Sequence, residues 1–198
     1  MPAEADKELT LPFDDLPQPI PPQVPAHQPR KRKPSQVKQL IASGDWETYE
    51  ASVLDLLRQA VEEYQKCHAS EKVYQVSIWT DPQVQISAIN FETKRHAEEQ
   101  LAKQAPAYRS EKGYNDNPAD FKRCEFLRRE HPEIAAIDGL NYSYHTHRQA
   151  ADARISTSLR KVVKRAREQN VFAGLPREEE VWIGVNSPRD WYDHVTKI

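Results

Sequence analysis

VYQVSIWTDPQVQISAINF, residues 73–91, is two runs of β-branched and aromatic residues around a turn. In the first run Tyr74, Val76 and Ile78 alternate with Val73, Gln75, Ser77 and Trp79. In the second, Val84, Ile86 and Ala88 alternate with Gln85, Ser87, Ile89 and Phe91. A period of two sends alternate side chains to opposite sheet faces. Pro82, after Asp81, presets φ for a tight bend. The stretch predicts an antiparallel hairpin covered on both faces. Tyr74, Val76, Ile78, Val84 and Ile86 are expected to hold the helices against it.

Helical periods flank the hairpin. Upstream, Trp46, Tyr49, Val53, Leu57, Ala60, Tyr64 and Cys67 recur at three- and four-residue spacing behind Asp45, a good N-cap. A shorter helix carrying Val37, Leu40 and Ile41 precedes it, capped by Ser35 and broken at Ser43-Gly44. Downstream, Thr93 can cap a charged helix to about Gln104. A loop is expected over 105–117, then a helix from Pro118 that carries Phe121, Cys124, Phe126 and Leu127 and stops at His131-Pro132. Leu140, Tyr142 and Tyr144 alternate, which predicts a strand from about Gly139 to His145. A helix from about Gln149 to Gln169 follows, buried along Ile155, Leu159, Val162, Val163 and Ala166. After a charged connector, Val181, Ile183 and Val185 predict another strand, and Pro188 a last short helix with Trp191, Tyr192 and Val195. The sum is about four mostly antiparallel strands with packed helices, not in strict βαβ order, which reads as α+β.

The chain has 198 residues and a formal net charge of -2. Nine of its 15 prolines fall in the first 34 residues, which contain no glycine. Residues 1–34 therefore read as a disordered Pro-rich tail, with Leu11, Phe13, Leu16 and Ile20 as its apolar anchors. The basic run Arg30–Lys33 marks its boundary, and 35–198 reads as a single α+β domain. Near-neutral charge argues against bulk electrostatic binding to nucleic acid. The basic side of the long helix (Arg160, Lys161, Lys164, Arg165, Arg167) is read either as a surface for nucleic acid, against which stand the acids elsewhere and the lack of a reading motif, or equally as a solvated face. The start MPAEADKELT lacks the apolar core of a secretory signal, and no apolar run approaches a membrane span. A cytoplasmic location follows as the expectation, with Cys67 and Cys124 as two buried thiols on separate helices.

Few residues carry a recognisable chemistry. GxGxxG, P-loop, HExxH and GxSxG patterns are all missing, so no cofactor is expected. Tyr144-His145-Thr146-His147 is the sharpest alternative. On a strand, His145 and His147 would share a face and could share a metal, with His131, Asp138, Asp152 or His194 as a third ligand. Asp116, Asp120, Glu125, Glu130 and Glu133 read as a solvated helix face. The C-terminal region is better suited to binding a protein. There Trp182, Trp191 and Tyr192 lie among Glu178, Glu179, Glu180, Asp190 and Asp193, and Trp and Tyr are enriched at interface hot spots; core aromatics beside a solvated acidic loop are the alternative.

VYQVSIWTDPQVQISAINFETKRHAEEQL resembles the opening hairpin and helix of a bacterial domain-of-unknown-function family (family 4303). Val76, Ile78, Thr80, Asp81, Ile86, Asn90 and Thr93 carry the likeness. SLRKVVKRAREQNVFAGLPREEEVWIGV resembles the same family's long helix, charged loop and strand, through Val171, Phe172, Gly174 and Arg177. The likeness covers about residues 45–195. It departs around Asn141–His147, where the family pattern has a Trp-containing segment. Members of such families occur beside polymorphic toxins. The resemblance thus implies a non-enzymatic immunity protein that occludes a cognate toxin protein, and it carries over no catalytic residue. A metal-dependent hydrolase built on His145 and His147, or an adaptor working through the Pro-rich tail, are the alternatives.

Overall fold

Asp45 starts the longest piece of the scaffold. Its carboxylate accepts from Thr48 N at 3.1 Å and from Thr48 Oγ1 at 2.7 Å. This satisfies backbone amides at the N-terminus of helix α2, Trp46–Cys67. Helix α1, Pro34–Ala42, precedes it, with Pro34 rather than Ser35 at its entry and Gln36 Oε1 accepting from Lys33 N at 3.0 Å. Strands β1 (Val73–Asp81) and β2 (Ile86–Thr93) form the expected hairpin, and helix α3, Lys94–Lys103, follows directly. Strand β3 is Arg123–Glu130, helix α4 is His145–Glu168, strand β4 is Arg177–Val185 and strand β5 is Asp193–Lys197. Short 3-10 turns lie at Pro118–Asp120, Pro132–Gly139 and Val171–Gly174.

This computed structural model describes residues 31–103 and 114–198. Most of the tail reading, with its four apolar anchors, and most of the 105–117 loop lie outside those residues. Lys31–Ile198 is one compact unit. No helix among the described residues is long and apolar enough to cross a membrane.

The five strands make one sheet in the order β3-β2-β1-β4-β5. β1 and β4 are parallel, and the other three pairings are antiparallel. α+β and mostly antiparallel therefore hold, with five strands rather than four. On one face, Val73, Val76, Ile78, Ile89, Phe91, Val181, Ile183 and Val185 join the buried stripes of α2 and α4 in a single core. Buried Glu50 locks those helices together. It accepts from Ser158 Oγ at 3.0 Å and pairs with Lys161 at 3.2 Å and Arg165 at 3.3 Å. The other face carries a smaller cluster of Tyr114, Phe121 and Tyr192, with Tyr74, Trp182 and Val195 packed against it.

Several expectations are corrected. A bulge between Val73 and Gln75 puts Val73 with Val76, and Tyr74 in the second cluster. Val84 stands in the turn, 54% exposed, and Ile89 and Phe91 take the core places expected of Val84 and Ile86. The predicted helix after Pro118 is one 3-10 turn and then edge strand β3, so its acidic residues are not a helix face. The predicted strand from Gly139 to His145 is the end of a 3-10 turn leading into α4, which starts at His145. Glu178, Glu179 and Glu180 lie within β4, not in a loop. The last short helix is strand β5. Cys67 and Cys124 are both free and exposed, and Cys124 sits on β3.

Candidate functional site

The one parallel pairing among the described strands creates a gap in the fold. At the carboxyl ends of β1 and β4 the chain leaves in opposite directions, from β1 into β2 and from β4 towards β5. Neither connection fills the space between them, the situation that produces ligand crevices in sheets with parallel strands. A cleft of about 280 Å³ lies there, lined by Asp81, Tyr142, His145, Arg148, Asp152 and the loop from Asn186 to Trp191, among others.

Its walls are fixed in place by hydrogen bonds. Asn186 continues the parallel ladder with its side chain: Oδ1 accepts from Thr80 N at 3.1 Å, and Nδ2 donates to Thr80 O at 3.0 Å. Ser187 Oγ accepts from Arg189 N at 3.1 Å and Asp190 N at 3.3 Å, and donates to Asp193 Oδ2 at 2.7 Å. Asp81 Oδ1 accepts from Gln83 N at 2.7 Å, and Tyr142 OH donates to Ile137 O at 3.1 Å. A loop held by this many local bonds needs little ordering on binding, which favours affinity.

The charges are sorted by depth. Arg148 and Arg189 are exposed, whereas Asp81 and Asp152 are half-buried. Burial pushes the Asp152 carboxyl above its ordinary value. Arg148, 3.8 Å away, pulls it back, and the charge on Asp81 adds to the rise. Burial beside Asp138, Asp152 and Asp81 also pushes the Tyr142 phenol up, so it stays protonated.

Trp191 forms the rim, and 49% of it is exposed. Its ring meets Trp79 edge-on, with centroids 6.1 Å apart. Beyond it lies a second hollow of about 280 Å³, lined by Trp79, Pro118, Cys124 and Glu125 among others. Trp191 is thus an aromatic ridge between two concavities.

The acidic and aromatic residues singled out at the C-terminus do not converge. Asp190 and Trp191 line the cleft. Tyr192 is fully buried, and its OH donates to Trp182 O at 3.0 Å. Trp182 is sandwiched, 5.1 Å from the Tyr114 ring and 4.2 Å from Lys197 Nζ. Glu180 pairs with that lysine at 2.8 Å, and Glu178 lines a separate hollow beside α3. Burial raises the Asp193 carboxyl, but bonds from Ser187 Oγ and His194 N outweigh it and hold the group below its usual range.

The metal reading loses its geometric premise. His145 and His147 are two residues apart on a helix, about 200° around its axis, not on one strand face. His145 is exposed and His147 is buried, with Asn141 N donating to its Nδ1 at 3.3 Å. Among the described residues, no three His, Cys, Asp or Glu side chains are placed to hold a metal.

Asp81, Arg148 and Asn186 belong to the cleft, and sequence reasoning gave them no binding role. Asp81 registered as a turn residue and as part of the family likeness, and the parallel pairing beside it has no local signature. Comparison with protein-family models, curated proteins and solved structures returns no match.

Proposed function

We propose that this chain is a non-enzymatic binding protein of the cytoplasm, working as an immunity protein that neutralises a cognate toxin by occluding it. The half-exposed Trp191 carries this reading. A large aromatic in a rigid loop, flanked by two hollows, has the form of an interface anchor. The contact residues are Asp190 and Trp191 with the cleft beneath them. Trp182, Tyr192 and Asp193 support the loop from inside. That the partner is a toxin comes from the sequence resemblance alone.

Coexpression with the product of the adjacent gene, tested as the toxin, checks the proposal. The wild-type chain is expected to protect and to bind the purified toxin. Trp191→Ala is expected to weaken binding by about 2 kcal/mol, roughly 30-fold, at unchanged Tm. A folded Trp191→Ala variant that binds and protects fully would overturn the assignment of the interface. Failure of the wild type to bind the toxin at micromolar concentration would overturn the function.

A further inference from the structure

The cleft beside Trp191 has an electrostatic need that the fold does not meet. Its half-buried charges are three carboxylates, Asp81, Asp152 and Asp190, while Arg148 and Arg189 are exposed. Asp152 is 13% exposed at its side chain, and its nearest cation, Arg148, is 3.8 Å away and 55% exposed. That pair is too loose and too wet to neutralise the inner charge. Asp81 spends one oxygen on Gln83 N. The carboxylates of Asp81 and Asp152 feel each other, which raises the cost of keeping Asp152 ionised. Burying a charge that is only loosely paired is costly, and a cation brought into the cleft would offset that cost.

We propose that the cleft receives an arginine side chain of the protein partner, its guanidinium between Asp81 and Asp152 and its plane against the Trp191 ring. The proposal rests on the reading of the chain as a partner-binding protein and specifies the chemistry of the partner's anchor. Charge complementarity and shape argue for this occupant. A guanidinium presents donors in a planar fork that matches two carboxylates, and it stacks on indole faces. A space of about 280 Å³ suits one long side chain rather than a helix or strand. The rim arginines then discriminate: they repel a misplaced cation and can meet a carboxylate that neighbours the inserted arginine.

The test uses the full chain labelled with 15N and two short peptides, identical except for a central arginine or glutamate. The arginine peptide is expected to shift the Trp191 indole and Asn186 side-chain amide resonances saturably, and the glutamate peptide is not. In the double variant Asp81→Asn/Asp152→Asn the arginine peptide is expected to bind at least about tenfold more weakly. Equal shifts from both peptides would overturn the proposal, as would no shift at about 10 mM arginine peptide. Undiminished binding by the folded double variant would also overturn it. The comparison of peptides on the wild type stands even if the double variant does not fold. The two levels fail separately. If Trp191→Ala abolishes toxin binding but the arginine peptide does not bind, the anchor chemistry is wrong and the interface stands. If the peptide binds but the toxin is indifferent to Trp191→Ala, the cleft stands and the assigned interface is wrong.

Discussion

Gly184 and Tyr192 show how much the second sheet face depends on one missing methyl group. A Cβ on Gly184 would stand 2.4 Å from Tyr192 Cε2 and 2.5 Å from its Cδ2. A ring cannot swing aside as the end of a flexible chain can, and this one is fully buried. Gly184→Ala must push the ring out of its place against Tyr114 and Phe121. It is expected to cost about 3 kcal/mol, read as a lower urea midpoint. An unchanged midpoint would mean that Tyr192 packs elsewhere. His131 makes a pH prediction. It is fully buried, with Nδ1 2.7 Å from Glu133 Oε1 and its ring edge-on to Tyr49 at 4.9 Å. Burial lowers its affinity for a proton, Glu133 restores part of it, and Arg129 lowers it further, leaving the pKa below the ordinary value of 6.5. The unfolded chain therefore takes up a proton first as the pH falls. Stability from this group is whole above about pH 6.5 and is lost progressively below it, down to the folded-state pKa. The urea midpoint is expected to drop between pH 7 and pH 5, and His131→Gln to flatten that slope. A slope unchanged in the variant would assign the effect to other groups.

At the scale of elements, what the sequence revealed depended on unbroken periods. α2 was legible because its apolar stripe runs through six turns behind a good cap. β1 and β2 were legible because they alternate. β3 was not. Glu125 sits at φ 46° in a bulge, and the consecutive Phe126 and Leu127 both pack against the core, so the run does not alternate and reads as a helix. His194, at φ 49°, interrupts β5 in the same way, and the chain around Trp191 also read as a helix. The bulge in β3 is held from the next strand, where Asn90 Oδ1 accepts from Glu125 N at 2.6 Å. Asn90→Ala is expected to leave that amide unpaired and to cost about 1–2 kcal/mol. The loss should appear as faster hydrogen exchange along β3, with α2 amides unchanged. Uniformly faster exchange would show that the bulge is not a local joint.

At the scale of the whole molecule, the fold divides into a face that holds and an end that receives. α2 and α4 cover one sheet face and are locked through Glu50. The cleft opens where the parallel strands stop and α4 begins. This explains why only part of the site was legible. Trp191 and Asp190 announced themselves by type, but Asp81, at the end of β1, and Asp152, on α4, line one cleft only in the folded chain, about seventy residues apart in sequence. Asp152 is also where holding and receiving conflict. Its pKa is raised in the fold by burial and by Asp81, so its ionised form is less favoured in the folded chain than in the unfolded one. Above that raised value it is ionised at a cost to stability. At low pH it is protonated in both folded and unfolded chains, and the cost disappears. Asp152→Asn is therefore expected to raise Tm at pH 7 and to leave it unchanged near pH 3. The same substitution is expected to weaken binding of a cationic partner group. A receptor site tuned for its ligand rather than for the free fold should show this opposition. A Tm that falls at pH 7 would instead make the Arg148–Asp152 pair a net structural tie, and Asp152 would not be a charge the cleft holds free for a partner.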